Sequence, residues 1–156
     1  MVKRTNMDSA TCPVARSLDA IGDWWSLLIV REAFVNVRRF GDFQKRLGLA
    51  KNILSTRLRE LVAAGILETR PASDGSAYNE YVLTEKGRSL VTVMIALRQW
   101  GEEHLYQPGE PTTILLDKAT KKPLRKLEIL SADGTRLGLS DLTLLPPPST
   151  PVKEPE

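Results

Sequence analysis

The sequence predicts an α+β fold that is mainly α, and three observations predict it. Apolar residues recur at helical spacing through most of the chain up to residue 106. Two β-prone runs, 66–70 and 78–83, flank a small polar loop. Beyond residue 107 the periodicity is lost and leucine-rich stretches alternate with turn signals. At 156 residues the chain suits one compact domain with an appendage.

In chain order, Cys12-Pro13 opens a first helix, because proline suits the first helical position. Val14, Leu18 and Ile21 give it a stripe, and Gly22 stops it. Asp23 is the expected N-cap of a second helix through Trp24, Trp25, Leu28, Ile29 and Phe34. After a loop with Asn36 and the Arg38-Arg39 pair, Phe40, Phe43 and Leu47 mark a brief third helix ending at Gly48. Leu54, Leu58, Leu61 and Val62 then fall at i, i+4, i+7 and i+8, the inner stripe of a fourth helix closed by Gly65. At about 100° per residue, Asn52, Thr56 and Arg59 lie on its far side, flanked by Ser55. A short helix, a tight connection and a longer helix with a polar, basic outer face make a helix-turn-helix.

The runs 66–70 and 78–83, turned at Asp74-Gly75, add a hairpin wing. Thr84 caps an expected long helix over 85–105, with Leu90, Met94, Leu97 and Gly101 on one face and Val91, Val93, Ile95 and Trp100 widening it. That surface is broader than one small domain covers, and a partner subunit is its natural cover. Strands are expected at 112–116, 124–130 and 142–145, with a turn at Asp133-Gly134. The organisation read from the sequence is a flexible N-terminal arm (1–11), a winged helix-turn-helix domain (12–106), a small β-hairpin appendage (107–145) and a Pro-rich disordered tail (146–156).

Charge narrows the function. Between Arg38 and Arg59 stand seven basic residues and one acid, Asp42, a local excess of +6. From Pro108 onward the two signs balance. A local positive field suits a polyanion, while the alternative is a solvated helix face. A single cysteine and a single histidine leave no disulfide framework and no zinc ligand set, so neither a metal nor a cofactor is expected. No apolar run is long enough for a bilayer, and residues 1–8 lack the apolar core of a secretion signal; the expected location is cytoplasmic. No glycine-rich phosphate loop or catalytic triad pattern occurs. His104 beside Glu102-Glu103 reads as a solvated helix end, and Trp24 and Trp25 as packing residues rather than a ligand cage. An enzyme is not expected.

Cys12-Pro13-Val14, Ile21-Gly22-Asp23-Trp24-Trp25 with Leu28-Ile29, and Arg39-Phe40-Gly41-Asp42-Phe43 carry a resemblance. It continues through 53–61, Gly65-Ile66-Leu67 and Tyr81-Val82-Leu83-Thr84-Glu85-Lys86-Gly87. In that order and spacing, residues 12–105 resemble the HxlR family of bacterial winged-helix transcription regulators. The resemblance implies a homodimer built by the first and last helices, binding an operator and adjusting transcription of nearby genes. It makes Val14, Leu18, Leu90, Met94, Leu97 and Trp100 the candidate dimerisation residues. Many relatives place Ser or Thr where Ala50 stands; Ala50 cannot cap the fourth helix. Some relatives carry cysteine-containing tails, and nothing of that kind follows Cys12 here.

The expected function is a DNA-binding transcription regulator, repression favoured over activation, on a double-stranded operator with inverted half-sites. Lys51, Asn52, Ser55, Thr56 and Arg59 are the candidates for the major groove. Arg38, Arg39 and Lys45 suit the phosphate backbone, and Arg70 with the wing tip suits the neighbouring minor groove. Arg57 lies nearer the buried flank, where an intradomain bond and a DNA contact remain alternatives. Cys12 is the candidate redox sensor, through a helix N-terminus that favours thiolate, as in some relatives; the alternative is a buried, inert thiol. An unidentified small-molecule or oxidant effector is compatible with either. The rival function is a winged-helix protein-interaction module whose basic face meets an acidic partner.

Overall fold

The computed structural model describes residues 6–148. Residues 1–5 of the expected arm and 149–156 of the expected tail lie outside the described residues. The chain divides into two compact units, Met1–Arg98 and Gln99–Glu156.

The first unit begins with α1 (Pro13–Ile21), with Pro13 in the first turn and Cys12 extended before it. Ile21 is its buried residue, while Val14 and Leu18 stay exposed at 65% and 55%. The Asp23 carboxylate then accepts from the backbone N–H groups of Trp25 (3.0 Å) and Ser26 (3.2 Å), fixing the start of α2 (Trp24–Phe34). Ile29 and Val30 of α2 are fully buried. In α3 (Phe40–Leu47), Phe43 is the buried anchor. Gly48 ends that helix at φ +65, a left-handed conformation that favours glycine, and turns the chain tightly into α4 (Lys51–Ala63). The expected inner stripe of α4 is the centre of the core. Leu54, Leu58 and Leu61 pack with Ile29, Val30 and Phe43, and Trp25 closes over them half-buried.

Strands β1 (Leu67–Pro71) and β2 (Asn79–Leu83) pair antiparallel, from Leu67 opposite Leu83 to Pro71 opposite Asn79. Leu67 and Leu83 reach the core, so the hairpin is pinned to it at its base.

The structure changes two expectations of secondary structure. The helix expected over 85–105 is two helices, α5 (Glu85–Arg88) and α6 (Val91–His104). Thr84 caps α5 as expected, accepting from Gly87 N–H. At Gly87 a Cβ would lie 2.2 Å from the Ile66 carbonyl oxygen, so the turn can sit against the hairpin base only as glycine. The Ser89 hydroxyl donates to the Lys86 carbonyl at 2.6 Å, competition of the kind that breaks helices.

In the second unit the strands expected at 112–116, 124–130 and 142–145 do not form as such. One bridge joins Leu116 and Pro123. The described sheet there is β3 (Ile129–Leu130) paired with β4 (Arg136–Leu137) around the expected Asp133-Gly134 turn, followed by a 3-10 turn, Leu139–Asp141. Turn chemistry overrides β propensity. Asp117 accepts from Ala119 N–H (2.7 Å) and Thr120 N–H (3.3 Å), which also holds its carboxyl below the usual range. Pro123 and the prolines after Leu145 have no N–H for a ladder. Among the described residues no helix is long and apolar enough to cross a membrane.

Candidate nucleic-acid interface

Because Leu54, Leu58 and Leu61 point inward, the opposite face of α4 points outward. Lys51, Asn52, Ser55 and Arg59 are exposed on it and Thr56 is half-buried. The Thr56 hydroxyl donates to the Asn52 carbonyl at 2.9 Å and accepts from Arg59 Nη2 at 3.4 Å, so the guanidinium lies along the helix. Ala50, extended before α4, caps it with no side-chain bond, as its methyl group requires. Lys45 is exposed on α3. Among the described residues no ion pair holds Lys45, Lys51 or Arg59.

The remaining candidate cations are all paired. Arg38 Nε donates to Asn36 Oδ1 at 2.8 Å, and its Nη1 lies 3.7 Å from Glu80 Oε2. Arg39 binds Asp74 at the wing tip and stands 3.8 Å from Glu80 Oε1. Arg70, on β1, is folded back onto Glu68. Arg57 resolves to the intradomain alternative: Nη1 donates to Glu60 at 2.7 Å and Nε lies 3.2 Å from Asp23 Oδ1, linking α4 to the cap of α2. Arg46 is bonded to Glu32, a buried α2 carboxylate that also accepts from Arg31 at 2.7 Å. Burial alone would raise the Glu32 carboxyl, but the Arg46 and Arg31 bonds together outweigh it and hold it below its ordinary value. The Arg39 bond and the Ser76 N–H hold Asp74 far below the usual carboxylate range.

The excess of +6 read along the sequence is therefore not the field the folded surface presents. Glu32, Glu80, Asp74 and Asp23 lie outside the basic window yet reach into it. Sequence reading missed Glu80, Asp74 and Glu32 as part of this surface. Nothing local ties them to the basic window, since the partners they meet there, Arg46, Arg39 and Arg38, are 14 or more positions away.

Of the candidate dimerisation residues, Val14, Leu18, Leu97 and Trp100 are exposed, whereas Leu90 and Met94 are half-buried against the chain's own core. Cys12 is exposed, so the buried-thiol alternative does not describe this chain by itself.

A family profile described as HxlR-like helix-turn-helix matches residues 20–108. Among curated relatives, Rv3095 of Mycobacterium tuberculosis, named an uncharacterized HTH-type transcriptional regulator, is 46% identical over 98 residues. That alignment covers 63% of this chain and 62% of the relative, so the chain spans less than two thirds of that protein's length. Among solved structures, PA1607, described provisionally as a transcription factor, is similar at 48% identity and a TM-score of 0.86. The match covers 90% of this chain and 99% of that one. The oxidized form of the redox regulator HypR is similar at 32% identity and a TM-score of 0.54, covering 60% and 97%.

Proposed function

The chain belongs to the HxlR-like helix-turn-helix family, and from that membership we propose that it is a sequence-specific DNA-binding transcription regulator, not an enzyme. It acts as a homodimer on an operator with inverted half-sites, repression being the favoured sign. The observation that carries this reading is the outer face of α4. Five groups able to bond bases or phosphates stand there in a row, on the face opposite the buried Leu54, Leu58 and Leu61. Asn52 has the amide to pair with adenine, and Arg59 the fork to pair with guanine. Lys45 and Lys51 add phosphate contacts beside the groove. Arg38, Arg39 and Arg70 are secondary contacts, since each first has to leave a carboxylate. The dimer contact falls on Val14, Leu18, Leu97 and Trp100, the members of the expected set that this chain leaves exposed.

The test begins with duplexes selected from a random-sequence pool by the wild-type protein. Replacing Arg59 by Ala is expected to weaken binding to them by about 10–100-fold and to relax base preference at one position per half-site. Fluorescence anisotropy against random-sequence competitor reads both. Equal affinity of the variant, or no preference by the wild type, counts against the proposal; the latter favours a protein-interaction module.

A further inference from the structure

The wing acids Glu80 and Asp74 have no part in the DNA reading above, and with Arg38 and Arg39 they form one connected cluster. Glu80 sits on β2 with its side chain only 7% exposed. Its Oε1 accepts from the Ser73 hydroxyl at 3.0 Å and from Ser73 N–H at 3.4 Å, so the carboxylate grips the wing loop. The same carboxylate faces Arg38 and Arg39, both in the segment that leads into α3. Arg39 goes on to Asp74, one residue further along the wing loop. The backbone closes the arrangement: Tyr81 N–H, next to Glu80, donates to the Arg38 carbonyl at 2.7 Å.

A buried carboxylate is costly unless it is paired and hydrogen-bonded, and Glu80 has two guanidinium groups and a hydroxyl around it. A two-stranded hairpin is marginal alone, and the tip of this one leaves the core after Leu67 and Leu83. In the loop itself Ala72 is the buried apolar residue, so polar contacts share in setting the direction of the loop. The cluster has the required form, because it joins the loop to the helix-turn-helix through planar groups of fixed geometry.

We propose that Glu80 is a positioning residue for DNA binding, holding the wing loop through Ser73 and through the Arg39–Asp74 link so that the loop meets the groove next to α4. The inference rests on the DNA reading above. It makes a prediction whose sign is opposite to simple electrostatics. Removing a negative charge from a DNA-binding surface ordinarily tightens binding. Replacing Glu80 by Gln here loosens it.

The experiment uses the full chain and the duplexes selected by the wild type. Glu80→Gln is expected to lose about tenfold in affinity for them, the order of one buried charge-assisted bond. Its affinity for a random duplex is expected to stay equal or to rise. Hydrogen exchange in residues 72–78 is expected to quicken. Arg39→Lys keeps the charge but loses the fork, and Ser73→Ala, at an exposed residue, removes the hydroxyl bond to Glu80; both are expected to weaken selected binding with the salt slope intact. These two carry the test if Glu80→Gln does not fold. Equal or tighter binding by the variants to the selected duplexes overturns the inference and leaves the DNA reading standing. A wild type that selects no duplex overturns both.

Discussion

Lys51 and Arg59 on α4 are the same kinds of residue as Arg38 and Arg39 before α3, yet the fold treats the two groups differently. The first pair has no carboxylate against it among the described residues. The second pair meets Glu80 and Asp74. Position in the fold explains the difference. The outer face of α4 lies opposite the leucines that α4 buries in the core of its own unit, and among the described residues no acid is paired with Lys51 or Arg59 there. The segment before α3 lies against the hairpin, which brings two acids across, Glu80 from β2 and Asp74 from the loop. A cation can support the fold or wait for a ligand, and the choice depends on which distant segment packs over it.

The difference can be pressed hardest at Glu32, where the pairing is deepest. Replacing Glu32 by Gln is expected to cost about 1.5–3 kcal/mol of stability at neutral pH, towards the low end because Arg31 and Arg46 remain half-open to water. Its carboxyl is held below the ordinary 4.5, so the wild-type advantage is complete above that value. The advantage is lost as pH falls through the lower folded value. Melting temperatures from pH 7 to pH 3 should therefore show a gap that narrows only below about 4.5. A gap of constant size down to pH 3 would mean that the arginines do not stabilise the ionised form.

A smaller effect compares the two groups directly. Lys51→Ala is expected to flatten the log-affinity against log-salt slope by about 1 per protomer. Arg38→Ala is expected to change it less, because a phosphate contact there first breaks the link to Glu80. Equal changes in slope would erase the distinction between spare and committed cations.

What could be read beforehand follows the same division between local and distant. The spacing of Leu54, Leu58 and Leu61 placed α4 and its outer face, because helical periodicity is complete within a dozen residues. Asp23 and Thr84 were legible as caps, since a cap acts within three residues. The bond between Arg39 and Asp74 spans 35 positions and leaves no local trace. The break at Ser89 and the failed strands near Pro123 had signals in plain view. There hydroxyl competition and the missing N–H outweigh the apolar period and the β propensity. The charge count failed for a physical reason: it sums along the chain, whereas fields add in space.

The smallest effect concerns the end of the helix that faces outward. Two of the capped helices satisfy their first N–H groups with Asp23 and Thr84, but α4 begins at Ala50 with no side-chain acceptor. The backbone there is already extended, φ −62 and ψ 141, which is the conformation a capping serine adopts. Ala50 is exposed, so a hydroxyl displaces nothing. Ala50→Ser is accordingly expected to raise stability by about 0.5–1 kcal/mol, read as a higher melting temperature or denaturant midpoint at unchanged slope. The same N–H groups are also what a DNA phosphate would accept from at this helix end. If they are engaged in that way, the serine variant gains stability in the free protein and gains nothing, or loses slightly, in the affinity of the complex. A serine variant that is no more stable than the parent would show that water already serves these groups as well as a hydroxyl does.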